Sequence, residues 1–364
     1  MSASPANAAA AGRRLRNQSI TGVGRRTPAD VVASSGAVQA QEYEPAKWGL
    51  GLRMQDGATD AQIERAFELG EILRTHVMRP TWHFVTPDDI RWLLELTAPR
   101  VHQRMAPYDR QLELDTKTMV RGTAVIERAL RDKQHLTRSE LADRLRDSKL
   151  AITGMRLAHL ALYAELEAAI CSGPRRGKQF TYALLAERAP GARRLQRDEA
   201  LFELSRRYFS SHGPATIRDF VWWSGLTTGD AKRGLEMARA RREDIGGRTY
   251  WSIDLPRRGR RRDSLAHLLP IYDEYLIAYR DREVVPHGPG IVSSASSAPV
   301  TFQHAAVIAG QVAGTWRIVK AAKGVSIAVT PLRRLTERER REIASAAASY
   351  ERFREVPVHV SVDA

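Results

Sequence analysis

Across 364 residues the chain has a single cysteine, 7% aromatic residues and only 8 lysines among its 57 basic side chains. A lone Cys171 cannot close an internal disulfide, and without a Cys-x-x-Cys pair no zinc finger can be assembled. These absences set aside a disulfide-rich secreted scaffold, and a reducing cytoplasmic location is expected. No apolar run approaches the roughly 20 residues that a membrane span needs. The N-terminal alanine run precedes its arginines, the reverse of a signal peptide, so no membrane partner is expected. Also absent are the Gly-x-Ser-x-Gly elbow, the phosphate loop, the dinucleotide fingerprint and the His-Glu-x-x-His helix. Their absence removes the commonest hydrolase, nucleotide-binding and zinc-protease readings. His76 and His83 have no neighbouring Cys or Asp to complete a ligand set, so neither a metal nor another cofactor is expected.

What is present is an ordinary globular composition, 43% hydrophobic, long enough for two or three compact units. The formal charge of +15 favours a polyanionic partner, nucleic acid or an anionic membrane surface. Arginine supplies 49 of the basic residues, a bias that a GC-rich genome also produces. Residues 206–262 hold 14 basic against 6 acidic residues, ending in the run Arg257-Arg258-Gly259-Arg260-Arg261-Arg262. That run reads as a phosphate-contacting linker or as a solvated loop.

Residues 1–19 are small, polar and basic without periodicity, and are expected to form a mobile arm. Thr27-Pro28-Ala29-Asp30 places a capping hydroxyl, a first-turn proline and an acid before a short helix ending at Ser35, with Gly36 as its stop. Thr86-Pro87-Asp88-Asp89 repeats the signal and opens a helix expected to run to about Leu96. The stretch from Ile72 to Val85 reads as two strands turning near Arg79-Pro80. A helix from Thr116, the capping box at Thr137 and Glu140, a long helix from Gly154 and a basic hairpin over 172–182 form a second unit. Helices from Arg197, through Trp223 and to Arg239, then a hairpin around Gly246-Gly247, form a third. Three times the order is helix, short helix, helix, hairpin. That order predicts an α+β fold, mainly helical, of three tandem winged helix-turn-helix units, although generic α+β modules share it. The expected boundaries are 20–115, 116–195 and 196–262, followed by a small β-rich module over 263–364 that includes strands near 300–302, 307–309, 316–319 and 325–329.

Asp273-Glu274, inside LLPIYDEYLIAYRDRE, could serve general acid–base chemistry, but Arg280, Asp281 and Arg282 beside it favour an ion-pair network. Gln39-Ala40-Gln41 carries no titratable group and on chemistry alone reads as hydrogen-bonding surface.

Five segments give it meaning: VQAQ at 38–41, MRPTWHFVTPDDI at 78–90, ICSGPRRGKQFTY at 170–182, HGPATIRDFVWWSGL at 212–226 and LLPIYDEYLIAYRDR at 268–282. In this order they resemble the AlkZ-like and YcaQ-like winged-helix DNA glycosylases over nearly the whole chain from about Ile20. The resemblance implies a C-shaped protein of three winged helices around a basic channel for duplex DNA. It also implies that the Gln-x-Gln element, here Gln39 and Gln41, is catalytic, and Gln41 places the chain nearer the AlkZ side than a sister group with Asp there. Glu42 and Glu44 lie outside the motif.

Amides suit one chemistry. Alkylating N7 of guanine or N3 of adenine makes the base cationic, so it leaves neutral without protonation by an acid. The sugar oxocarbenium then accepts water that a glutamine carbonyl need only orient. The expected activity is that of a monofunctional DNA glycosylase on cationic N-alkylpurines in duplex DNA. Crosslinked bases are included, because a tether obstructs flipping and an open channel tolerates it. The hairpin over 74–85 lies close enough to the motif to probe a groove, which makes Arg79, Trp82 and His83 candidate DNA contacts. Core packing for Trp82 and a satisfied structural histidine for His83 are the plainer alternatives. Arg175, Arg176 and Lys178 in the second hairpin and Arg218 in the third unit are expected phosphate contacts. Tandem units in one chain make a monomer sufficient. A transcriptional regulator of the same fold, or a hydrolase using Asp273 and Glu274, are the competing functions.

Overall fold

The computed structural model describes residues 4–55, 57–254, 261–262, 264–285, 302–320 and 324–363. Its first element corrects the expected mobile arm, because α1 (Pro5–Asn17) is a helix with Ser4 as its side-chain cap and proline in its first turn. The alanine run that looked featureless is the strongest helix former available. One face of α1 is buried, and Arg14 on it is 1% exposed, lying over the Tyr279 ring at 3.7 Å while Nε donates to the Pro214 carbonyl at 2.9 Å.

A first helix–hairpin group follows the short strand β1 (Gly22–Val23). It comprises α2 (Pro28–Ser35), β2 (Val38–Gln39), α3 (Tyr43–Leu52), α4 (Asp60–Leu69), β3 (Leu73–Val77) and β4 (Arg79–Val85). Thr27 and Asp30 cap α2 reciprocally, as the sequence predicts. The three strands form an antiparallel sheet in the order β2-β4-β3, and the hairpin turns at Met78 with φ 63°. α5 (Ile90–Gln111) runs well past the expected Leu96, through Pro99 and Pro107. Buried Leu96, Ala98 and Val101 keep it docked, so packing outweighs the ladder bonds that proline removes.

The second group repeats the order: α6 (Thr116–Leu130), β5 (Leu136–Thr137), α7 (Arg138–Asp147), α8 (Gly154–Leu166), β6 (Ile170–Ser172) and β7 (Thr181–Leu184). Its sheet, β5-β7-β6, matches the first. After the one-turn α9 (Leu185–Arg188), the third group has α10 (Arg197–Ser211), α11 (Ile217–Ser224), α12 (Thr228–Ala238), β8 (Arg241–Ile245) and β9 (Arg248–Ser252). A single bridge from Ala215 to Trp251 stands where the other groups have a short strand. The same order of helices and hairpin thus occurs three times.

The last part is a sheet with a helix on it. β10 (Arg261–Arg262) pairs with β1, and the rest of the arginine run, Arg257 to Arg260, lies outside the described residues. β11 (Ala266–Leu269), the one-turn α13 (Glu274–Ile277), β12 (His304–Ile308), β13 (Gln311–Lys320), β14 (Val325–Pro331), α14 (Glu337–Arg354) and β15 (Val358–Val362) follow. The five strands lie in order β11 to β15, antiparallel except for the final parallel pair. Of the strand expected near 300–302, residues 300 and 301 lie outside the described residues, and Phe302 precedes β12.

Two shared cores decide where the site sits. One joins β3, α5 and α10–α12, so the third group is packed on the first group's hairpin. The contact is close enough that a side chain at Gly225, itself at φ 72°, would begin 2.2 Å from the Met78 carbonyl oxygen. The other joins α2, α3 and α4 to the C-terminal sheet and α14. The chain is a mixed helix-and-sheet protein whose first group is held on two sides.

Candidate active site

β2 is only two residues long, and its pairing with β4 sets the Gln39-Ala40-Gln41 segment. Val38 pairs with Phe84 and Gln39 with His83, and the Ala40 N–H donates to the Trp82 carbonyl at 2.8 Å. Alternation along the strand buries Val38 and Ala40 in the core with α2, α3 and α4. The two glutamines differ in access. Gln39 is 6% exposed, whereas Gln41 is half-buried and lines an open groove of about 800 Å³ with Arg74, Arg175 and Lys178.

Each carboxamide is oriented by a donor to its oxygen. Arg79 Nη2 donates to Gln39 Oε1 at 2.7 Å, and the Trp82 N–H donates to Gln41 Oε1 at 3.3 Å. Arg74 clasps the backbone behind them, Nε to the Ala40 carbonyl at 3.0 Å and Nη2 to that of Gln41 at 3.3 Å. Its guanidinium lies between Trp82 and Phe180, 4.3 and 4.6 Å from their ring centres, and burial lowers its pKa to about 10.

Behind Gln39 sits a carboxylate from a distant part of the chain. Glu274, 2% exposed, accepts from the Gln39 N–H at 2.6 Å and from Trp223 Nε1 at 2.9 Å, with His212 Nε2 at 3.4 Å. Burial opposes its ionisation, but His212, the Gln39 N–H and the charge of Arg79 outweigh that and hold it at about 2. Asp273 beside it takes both terminal nitrogens of Arg53 at 2.8 Å and caps α13. The acidic pair is therefore built into the interior, as its charged neighbours suggested, although the ionic partner is Arg53. Both carboxylates are buried and hydrogen-bonded to protein donors, which disfavours independent acid–base work on a substrate.

A family model described as DNA glycosylase AlkZ-like matches residues 32–353. The chain belongs to the AlkZ-like DNA glycosylase family. A curated relative from Streptomyces sahachiroi named interstrand DNA cross-link repair glycosylase is 25% identical over 333 residues, covering 84% of this chain and 86% of that one. The solved structure of Streptomyces sahachiroi DNA glycosylase AlkZ superposes over 100% of both chains with a TM-score of 0.79 at 22% identity, a likeness of fold.

In this AlkZ-like chain the candidate DNA contacts divide sharply. Arg79 and His83 are buried, at 8% and 0% exposure, and so do not project into a groove from the hairpin as expected. They continue the hydrogen bonding of Gln39 inward: His83 Nε2 is 3.5 Å from Arg79 Nη2, and Nδ1 lies 2.9 Å from the Thr81 carbonyl. A carbonyl only accepts, so Nδ1 carries the proton and Nε2 turns its lone pair to Arg79. Burial and Arg79 push the His83 pKa down to about 3, fixing the neutral form. His83 is thus the satisfied structural histidine of the plainer alternative. Trp82 is only partly buried, its ring between Arg74 and His76, and lines a second cavity of about 450 Å³ with Arg138 and Tyr182. His76 is paired with Glu165, away from His83. Among the described residues no group of three or more His, Cys, Asp or Glu could hold a metal, and no helix is long and apolar enough to cross a membrane.

The second hairpin is similarly mixed. Arg175 is held by Glu44 and Glu64 over the Tyr43 ring, which ties that hairpin to the first group, and Arg176 pairs with Glu140 at 2.7 Å. Lys178 and Arg218 are exposed, and Lys178 lines both cavities. Sequence reasoning did not single out Arg74 or join Glu274 to the glutamines. The segment LLPIYDEYLIAYRDR held the signal for Glu274, since a charge inside so apolar a run needs a buried partner.

Proposed function

We propose that this protein is a monofunctional DNA glycosylase that hydrolyses the N-glycosidic bond of cationic N-alkylpurines of the N7-alkylguanine type in duplex DNA, interstrand crosslinks included. The observation that carries the reading is Gln41, oriented by the Trp82 N–H and placed on the wall of a groove shared with Arg74 and Lys178. The three helix–hairpin groups act as tandem winged helices around a basic, C-shaped channel for the duplex, with the C-terminal sheet as an accessory module. The name of the curated relative, a cross-link repair glycosylase, supports the bulkier substrates.

In the proposed reaction the bond between C1′ and the base nitrogen breaks with its electron pair going to the cationic base, which leaves neutral. Water adds to C1′ and releases its proton to solvent, leaving an abasic sugar. The Gln41 carbonyl has a second lone pair beyond the Trp82 N–H, and this orients the water. Gln39, fixed through Arg79, shapes the same position from behind. No acid is needed for a base that is already charged, and normal purines, which lack that charge, are spared. The enzyme uses no metal or cofactor, works as a monomer, and acts in the cytoplasm, where its lone buried cysteine stays reduced.

The test uses a duplex with a single N7-methylguanine, alkaline cleavage of abasic sites, and the spontaneous depurination rate as reference. Excision above that rate, sharply reduced but still measurable in Gln41→Ala and Gln39→Ala while duplex binding persists, is the expected result. Tight binding to one DNA sequence, with no excision of this lesion or of a crosslinked duplex, would instead make the protein a regulator.

A further inference from the structure

Glu274 has no place in the reaction as just derived, yet it is the buried anion nearest the motif. We propose that Glu274 is a positioning residue for the glycosylase reaction, acting through the backbone of Gln39 while Arg79 acts through its side chain. The inference rests on the glycosylase reading above.

The geometry is that of a residue held at both ends. At the backbone end Glu274 Oε1 accepts from the Gln39 N–H at 2.6 Å, a charge-assisted bond shorter than the strand's own contact at Ala40. At the side-chain end Arg79 Nη2 holds Gln39 Oε1 at 2.7 Å. The two holding groups attract each other electrostatically, so the backbone and side-chain anchors form one unit. Glu274 is itself fixed by Trp223 Nε1 and faced by His212, whose ring stacks on Tyr208 with centres 4.7 Å apart. All three of these groups come from the third helix–hairpin group, α10 to α11. β2 has only two residues and makes few ladder bonds of its own, so a strand this short needs an outside anchor to be rigid. The carboxylate supplies that anchor at the Gln39 N–H. Glu274 is too buried to touch DNA, so its effect is transmitted through Gln39.

The distinguishing experiment is a double-mutant cycle under single-turnover conditions on the N7-methylguanine duplex, with duplex Kd and thermal midpoint recorded for each protein. Glu274→Gln keeps the size of the side chain and an acceptor oxygen but removes the charge. Its excision rate is expected to fall by about 10²-fold, the order seen when a reacting group is misplaced by an ångström, with Kd unchanged within about twofold. In the Gln39→Ala background the same substitution is expected to cost almost nothing further, because the backbone N–H that it holds remains but the carboxamide positioned through it is gone. Trp223→Phe, which deletes one donor to the carboxylate, provides a milder variant should Glu274→Gln fail to fold, and is expected to show a smaller loss of rate with the same non-additivity. A folded variant excising at the wild-type rate, or losing rate equally in both backgrounds, overturns the inference. Failure of the wild-type protein to excise at all sinks the function reading instead.

Discussion

Arg79 and Gln39 meet through a 2.7 Å hydrogen bond, from guanidinium to carboxamide oxygen, in an interior where neither side chain is more than 8% exposed. That bond fixes which end of the amide faces the protein, and it moves Arg79 from a presumed DNA ligand to a support of the motif. Substitutions of arginine in this protein should therefore divide into those that slow the reaction and those that weaken binding.

Arg79→Ala is expected to reduce single-turnover excision by at least about tenfold while leaving duplex affinity within about twofold, since an unanchored glutamine is misplaced but no phosphate contact is lost. Lys178→Ala and Arg218→Ala should do the reverse. Each should weaken duplex binding uniformly across sequences and make the slope of log K against log salt shallower by about 0.9. Binding isotherms from 50 to about 200 mM salt, run beside the excision assay, separate the two classes.

His83 sets a stability limit in mild acid. Its folded pKa is about 3, below the ordinary 6.5, so the unfolded chain takes up its proton first. The contribution of a neutral buried imidazole is full above pH 6.5 and declines as pH falls from there towards 3. By pH 5 about 2 kcal/mol should be lost from this group alone. Glu274, held at about 2, adds a further loss only as pH falls below the ordinary carboxyl value of 4.5. Thermal midpoints recorded between pH 7 and 5 should fall for the wild type, and His83→Asn should flatten that decline whatever its effect on the midpoint at pH 7.

Cys171 is fully buried, and burial pushes its thiol up to about 12. It should be inert to a thiol-specific chromogenic disulfide at pH 8 in the native protein and react with a stoichiometry of one after unfolding. Fast native reaction would mean that β6 opens readily.

Arg14 is the keystone of α1, buried with its guanidinium on Tyr279 and its Nε on the Pro214 carbonyl. Arg14→Ala leaves that carbonyl unpaired and removes a desolvated cation–π contact, at a cost of about 2 kcal/mol or more. A lowered thermal midpoint checks it, and a midpoint unchanged by the substitution would return the N-terminal segment to the mobile arm that its composition suggested.

Much of this architecture could be read from local signals. The reciprocal caps at Thr27 and Thr137 mark where their helices begin, because capping is a short-range effect. What could not be read is whatever tertiary packing decides. α5 continues through Pro99, α1 orders on Tyr279, and Arg175 turns from a presumed phosphate ligand into a bond between two groups. The motif was legible only by resemblance, since an amide pair has no pattern of its own. Its inner support could not be assembled from the sequence, because a buried place for Glu274 and a structural one for His83 were readable as alternatives but the contacts of Glu274 and Arg79 with Gln39 join distant parts of the chain.

The bond between Gln39 and Glu274 spans 235 positions of the chain. During synthesis the glutamines emerge early and their anchor late, so the site is completed only when just over three-quarters of the polypeptide has been made. A nascent or truncated product ending before residue 274 would carry the motif and much of the basic surface without the anchor. Such a product would also lack the C-terminal sheet and α14, with which α2, α3 and α4 share their core, so the motif would be left without its packing as well as its anchor.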